Sequence, residues 1–226
     1  MRKGKVIGHR GAPSLKVENS LESIEEALKL NVDGIEVDVR STKDGVPVAF
    51  HDANLSRILK VDKLLVETNL AELKALSKER GFTLPTLHDV LRLVGNKSMA
   101  VLDVKEWRVV DTLVKILHSL DDIGSIVVSS FDHRIPLYVK NEVSWVKAGL
   151  IVSLRPLSIS RLVNDEVDCL FLRRDYADSE LISEALDLGL QVYVWVINDK
   201  AEAERFWSLG VHGIVTDKPQ LFVNGG

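Results

Sequence analysis

Two stretches of the chain alternate apolar and charged positions with a period of two. In Gly34-Ile35-Glu36-Val37-Asp38-Val39-Arg40, Ile35, Val37 and Val39 share one face and Glu36 and Asp38 the other, the pattern of a strand packed on one side and charged on the other. Met99-Ala100-Val101-Leu102-Asp103-Val104-Lys105 again sets two ionisable residues two apart. Unpaired negative charge facing an interior is costly, so positive charge is expected beside Glu36 and Asp38.

Around these stretches, short β-branched runs alternate with segments of helical period. Strands are predicted at 5–9, 34–40, 46–50, 99–104, 126–130, 146–151, 168–172, 191–197 and 213–216. Helices are predicted near 20–31, 69–79, 86–95, 108–120, 132–141, 155–164, 179–188, 199–209 and 217–223. Asn69 with Glu72 and Thr86 with Asp89 have the spacing of capping boxes, while Gly189 and Gly210 stand where helices stop. Strands 34–40 and 46–50 are joined through Asp44-Gly45 by too few residues for a parallel crossover, so the second is expected to return antiparallel as a hairpin arm. Eight parallel strands remain, and the fold class is α/β: a TIM (β/α)8 barrel with a short β-hairpin arm. Asn31-Val32-Asp33-Gly34 and Gly210-Val211-His212-Gly213 both lead from a helix into a strand, a shared loop solution. From His51 to Pro85 the pattern loosens, and Val61 to Val66 fit neither element, so a small rim insertion is expected at about 52–85.

Composition narrows this further. With 226 residues, 46% hydrophobic and 27% charged, the chain is expected to form a single TIM-barrel catalytic domain over 1–226. A net charge of −4 without a basic, aromatic-interleaved run excludes nucleic acid as a partner. The apolar segment at the start is too brief for a signal peptide, and no run approaches the roughly 20 apolar residues of a membrane span, so a cytoplasmic protein without stable membrane insertion is expected. Cys169, the one cysteine, reads as an inert core position in a reducing compartment.

In such barrels chemistry gathers at the C-terminal ends of strands. His9-Arg10-Gly11 ends the first predicted strand, Glu36 and Asp38 lie on the second, His51-Asp52 ends the hairpin arm, and Asp103 and Lys105 close another. Phe131 follows Ser129-Ser130, and Trp195 sits in Val194-Trp195-Val196. Three carboxylates without a cysteine make a hard oxygen site suited to a divalent cation, Mg²⁺, Ca²⁺ or Mn²⁺. Arg10 and Lys105 add positive charge for an anionic small-molecule substrate such as a phosphate ester. Two histidines with ordinary pKa values near 6.5 suit a general acid and a general base. Metal-assisted phosphoryl transfer is the chemistry these residues share.

These residues also resemble a known family. His9-Arg10-Gly11, Glu18-Asn19-Ser20, Gly34 to Val39, Lys43-Asp44-Gly45, Val48, His51-Asp52, Leu55, Arg57, Pro85-Thr86-Leu87, Ser130-Phe131, Trp195 and Gly213-Ile214-Val215-Thr216-Asp217 look like the successive motifs of the glycerophosphodiester phosphodiesterases. The resemblance implies a TIM barrel that hydrolyses glycerophosphodiesters to glycerol 3-phosphate and an alcohol with a divalent cation. It implies His9 and His51 as the acid/base pair, Glu36 and Asp38 as metal ligands, and Arg10 and Lys105 on the phosphate. Trp195 matches a position lining the pocket for the organic group, and Phe131 is a further candidate for contact with substrate. Asp103 stands where the family usually has glutamate; one methylene shorter, it must draw the metal closer, bind it through water, or yield to another ligand. Ser20 replaces a frequent threonine, and either hydroxyl caps a helix. Two competing readings are a lysophospholipase D acting on lipid substrates and a non-catalytic, metal-stabilised binding barrel.

Overall fold

A computed structural model describes residues 4–120 and 124–223. Its elements run β1 (Lys5–His9), α1 (Leu21–Lys29), β2 (Gly34–Ser41), β3 (Pro47–Ala49), α2 (Ser56–Leu59), α3 (Leu70–Glu79), α4 (Leu87–Val94), β4 (Met99–Val104) and α5 (Val110–His118). There follow β5 (Ile126–Ser130), α6 (Arg134–Glu142), β6 (Lys147–Val152), β7 (Cys169–Arg173), α7 (Ser179–Asp187), β8 (Gln191–Trp195), α8 (Lys200–Ser208) and β9 (Gly213–Thr216). Eight strands pair in parallel, and β1 closes the ring by pairing with both β2 and β9. Strand β3 hangs antiparallel on the end of β2, with Val39 opposite Ala49 and Ser41 opposite Pro47. This is the (β/α)8 barrel with a hairpin arm that the alternation predicts.

The period of two sorts side chains into two compartments. Ile35, Val37 and Val39 of β2 and Ala100, Leu102 and Val104 of β4 pack outward in the shell shared with the helices. Ile7, Met99, Val101, Val127, Ile151, Cys169, Phe171, Tyr193 and Val215 fill the barrel interior. Along each of β1, β2 and β4 the inward residues change from small or apolar to charged: Ile7 then His9, Gly34 then Glu36 and Asp38, Met99 and Val101 then Asp103. Apolar burial at roughly 25 cal/mol per Å² therefore holds the lower barrel, and the C-terminal rim is left for polar work. The thiol of Cys169 is pushed up to about 12 by burial, an inert core group as expected.

Several helix signals act as predicted. Ser20 Oγ accepts from Ser23 N at 3.0 Å to start α1, and Thr86 with Asp89 closes a reciprocal capping box on α4. Asn31 (φ 55°) and Gly210 (φ 87°) both turn left-handed before β2 and β9, with Asp33 N donating to Val6 O and His212 N to Val192 O, so the two loops are equivalent. Asn69 departs from expectation: it makes no side-chain cap, Asp44 Oδ1 of the hairpin turn takes the first helical amide, Leu70 N, at 3.0 Å, and Glu72, the other half of the expected box, pairs with Lys63 instead.

The helix predicted at 155–164 does not form. Only a single turn closes at Ile159, where Leu162 N and Val163 N both reach its carbonyl. Pro156 sets the entry, and tertiary bonds replace the helical ladder: Arg155 binds Asp178 and Glu180, and Ser160 donates through N and Oγ to Glu184 Oε1, both at 3.0 Å, strapping the segment to α7. The helix predicted at 217–223 shrinks to one 3₁₀ turn, Pro219–Leu221. Between His51 and Pro85 the rim segment has its own apolar cluster, Leu55, Leu59, Leu65, Leu73, Phe82 and Leu84, packed with Val48 and Phe50 of the hairpin arm. It contains the short α2, which the sequence pattern does not reveal. No helix among the described residues is long and apolar enough to cross a membrane.

Candidate active site

Register places the chemistry. Asp38 stands opposite Asp103 across the β2–β4 pair, and His9 stands opposite Glu36 across β1–β2. Glu36, Asp38 and Asp103 thereby bring one carboxylate oxygen each within 4.8 Å of one another, all three buried. His9, Arg10, Glu36, His51, Asp103, Lys105, Phe131 and Trp195 line one pocket at the C-terminal mouth, over a floor of Val101, Ile151, Phe171 and Val215. Asp38, 1% exposed, lies just behind, covered by Arg10 and Lys105. The structure thus brings all nine sequence-predicted site residues together.

The expected positive charge is present. Arg10 Nε lies 2.9 Å from Asp38 Oδ2, and Lys105 Nζ lies 2.7 Å from Asp38 Oδ1 and also bonds Asp103. Although burial raises the Asp38 carboxyl, these two cations outweigh it and hold the group down at about 2. Glu36 is pushed up to about 7 by burial and the nearby Asp38, and Asp103 to about 6 mainly by burial. Asp103 Oδ1 is also buried without a hydrogen-bond partner. Two carboxyls held protonation-prone and an unmatched buried oxygen, in a donor set made only of oxygen, fit a hard divalent cation. Glu36, Asp38 and Asp103 are the residues that could hold it.

Backbone geometry supports the cluster. Arg10 adopts a left-handed φ of 58°, which aims its N–H at Glu36 Oε2, 2.9 Å away, while its guanidinium turns to Asp38 and Glu18. Gly11 at φ 90° follows, and a Cβ there would lie 2.5 Å from Ser23 Oγ, so the His-Arg-Gly turn needs glycine. Each histidine is fixed by a carboxylate: His9 Nδ1 to Asp217 Oδ1 at 2.7 Å, and His51 Nδ1 to Asp52 Oδ1 at 2.6 Å. Burial lowers the His9 pKa, but the Asp217 hydrogen bond and Glu36 overcome it and the net shift is upward. On the other wall, Phe131 and Trp195 meet edge to face with centroids 5.9 Å apart, and Lys105 Nζ lies 5.4 Å from the Phe131 centroid. The pocket therefore has a charged side and an aromatic side.

The model of the glycerophosphoryl diester phosphodiesterase family matches residues 9–221. The chain belongs to that family. Among its relatives, a glycerophosphodiester phosphodiesterase of Caldanaerobacter subterraneus is 29% identical over 97% of this chain and 96% of its own length. A phosphodiesterase of Oleispira antarctica, solved in complex with the product sn-glycerol-3-phosphate, superimposes with a TM-score of 0.89 at 27% identity, covering 96% of this chain and 94% of that one. A glycerophosphodiester phosphodiesterase of Thermotoga maritima gives 0.83 at 26% identity over 97% and 96% of the two chains. The barrel and the enzyme family expected from sequence are those of these proteins.

Five residues outside the predicted site complete it. Asn19, at φ 57°, donates to Asp38 Oδ2 at 2.8 Å and accepts from Asp38 N at 3.2 Å, gripping that residue by its carboxylate and its backbone. Asp217, behind His9, is itself held by Asn198 Nδ2 at 2.9 Å. Glu18 binds Arg10 at 2.8 Å, and Asp52 binds His51. Glu18, Asn19, Asp52 and Asp217 fall within the motif segments, and Asp217 directly follows a strand whose C-terminal end, like those carrying His9 and Asp103, faces the site, which is the signal available; Asn198 offers none.

Proposed function

We propose that this protein hydrolyses glycerophosphodiesters to glycerol 3-phosphate and an alcohol, with a divalent cation held by Glu36, Asp38 and Asp103 and with His9 and His51 as the acid/base pair. The observation that carries this reading is the pocket itself, where two carboxylate-backed imidazoles face a buried carboxylate triad beside Arg10 and Lys105. A bound Mg²⁺, Ca²⁺ or Mn²⁺ supplies Lewis-acid stabilisation of charge on the phosphate. Arg10 and Lys105 orient the phosphate from the charged side, and Phe131 and Trp195 receive the organic group on the other. The substrate's own 2-hydroxyl attacks phosphorus, an intramolecular step favoured by effective molarities of roughly 10⁵ M or more. One imidazole takes the hydroxyl proton and the other protonates the departing alcohol; the roles then reverse as water opens the cyclic phosphate.

The test is turnover of glycerophosphocholine, glycerophosphoethanolamine and lysophosphatidylcholine after exhaustive chelation and with each metal restored. Activity is expected to vanish on chelation and return with metal, on the first two substrates above the third. Full turnover without metal defeats the cation role, and preference for the lipid favours a lysophospholipase D. A 2-deoxy glycerophosphocholine is expected to compete with substrate yet turn over orders of magnitude more slowly; equal turnover leaves water as the nucleophile.

A further inference from the structure

Arg57 lies on the rim, outside the pocket, yet its guanidinium meets two of the residues just described. Its NH1 and NH2 groups donate to Glu18 Oε2 and Oε1 at 2.8 and 2.6 Å, a bidentate pair, while Nε donates to Asp52 Oδ2 at 2.6 Å. Glu18 Oε1 also accepts from Arg10, and the other oxygen of Asp52 holds His51. An unbroken row of hydrogen-bonded polar groups therefore runs His51, Asp52, Arg57, Glu18, Arg10, Asp38. The two ends of that row are an imidazole and a triad carboxylate.

The guanidinium is presented by a firmly seated turn. Leu55 and Leu59, two residues to either side, are fully buried in the rim cluster, whereas the Arg57 side chain is 47% exposed. An exposed ion pair alone contributes little to stability. Three charge-assisted bonds from one planar group do something else: they fix the orientation of two carboxylates at once, which an ammonium cannot do.

We infer that Arg57 is a positioning residue for the reaction, setting the His51 imidazole through Asp52 and the Arg10 guanidinium through Glu18. The inference rests on the function proposed above. Without Arg57, Asp52 keeps its bond to His51 but loses the partner that fixes its plane, and Glu18 is left to Arg10 alone. Misplacement of reacting groups by about 1 Å costs on the order of 10²-fold in rate.

The experiment is steady-state kinetics on glycerophosphocholine with Arg57→Gln, Arg57→Lys, Asp52→Asn and the Arg57→Gln/Asp52→Asn double variant, with melting temperatures of each. Arg57→Gln is expected to lower kcat by about 10- to 100-fold with its melting temperature within a few degrees of the parent. Arg57→Lys keeps the charge and the stem but is expected to recover less than half of the loss on a logarithmic scale. The double variant is expected to be no slower than the worse single one, because both break the same row. Added ethylguanidinium should raise kcat of Arg57→Gln and leave the parent unchanged. A parent-like kcat in Arg57→Gln, full activity in Arg57→Lys, or losses that multiply in the double variant would overturn the inference. A parent that does not hydrolyse the diester would instead remove the function it rests on, so the two failures are told apart by the parent alone.

Discussion

The two histidines are bonded alike and housed differently. His9 ends a barrel strand, its side chain 19% exposed, and its carboxylate partner Asp217 is held by the neutral amide of Asn198. His51 ends the hairpin arm, its side chain 38% exposed, and its partner Asp52 is shared with the cationic Arg57. The His9 ring is the more buried of the two and its contact with buried Glu36 is little screened, whereas Asp217, 36% exposed, is more open than Asp52 at 23%. Around His51, nearer water, single contacts are weaker and placement depends on several charges acting together. One imidazole is positioned by the barrel and the other by the rim.

The largest expected effect is common to both sides. His9→Ala and His51→Ala should each lower kcat by about 10³-fold, within the range for loss of a general acid or base. Near-parent turnover in either variant would reduce the pair to one working histidine. The carboxylates behind them should separate the two sides. Asp217→Asn is expected to cost about 10²-fold and Asp52→Asn about 10-fold, in keeping with the deeper burial of the His9 ring. Because the Asp217 hydrogen bond raises the His9 pKa, its loss lowers that pKa, and the His9 limb of the kcat/KM profile should move to lower pH. Equal losses and an unmoved limb would erase the distinction.

A smaller effect sharpens the buried side. Glu36 lies 3.9 Å from His9 Nε2 and is pushed up to about 7 from an ordinary value of 4.5, and Asp103 to about 6 from 3.8. A carboxyl with a raised folded-state pKa favours folding below its unfolded pKa, and that advantage is lost as pH rises through the folded value. The chelated protein should therefore lose stability between pH 5 and 8, by about 2 kcal/mol or roughly 5 °C in melting temperature. Metal should flatten the trend, and Glu36→Gln should flatten it without metal. Melting curves across this range with and without Mg²⁺ check both; a chelated protein that gains stability with pH contradicts the assignment.

How much of this was legible in the sequence follows from contact range. The alternation in β2 and β4 is local, and by itself it puts Glu36 and Asp38 toward the interior and sets Asp103 and Lys105 on one face of a strand end. The hairpin arm was legible because Asp44-Gly45 leaves no length for a crossover. The pairing of His9 with Asp217 spans 208 positions and exists only because β1 closes the barrel on β9. The Glu18–Arg57 pair likewise spans 39 positions and depends on where the rim cluster seats α2. The segment 155–164 misled for the opposite reason: its local signal was helical, and distant partners on α7 overrode it.

The filled barrel interior has a kinetic consequence. Met99, Val101, Cys169, Phe171 and Tyr193 are each at most 7% exposed, so among the described residues the pocket is a blind end. Both products of the proposed reaction share a single exit. On that proposal the alcohol on the aromatic side is expected to leave first, and the cyclic phosphate, then glycerol 3-phosphate, to be held by charge beside Arg10 and Lys105. Water for the final step would then enter through the space the alcohol vacates, and the retained phosphate product would compete with the next substrate molecule, so progress curves are expected to bend early as product accumulates.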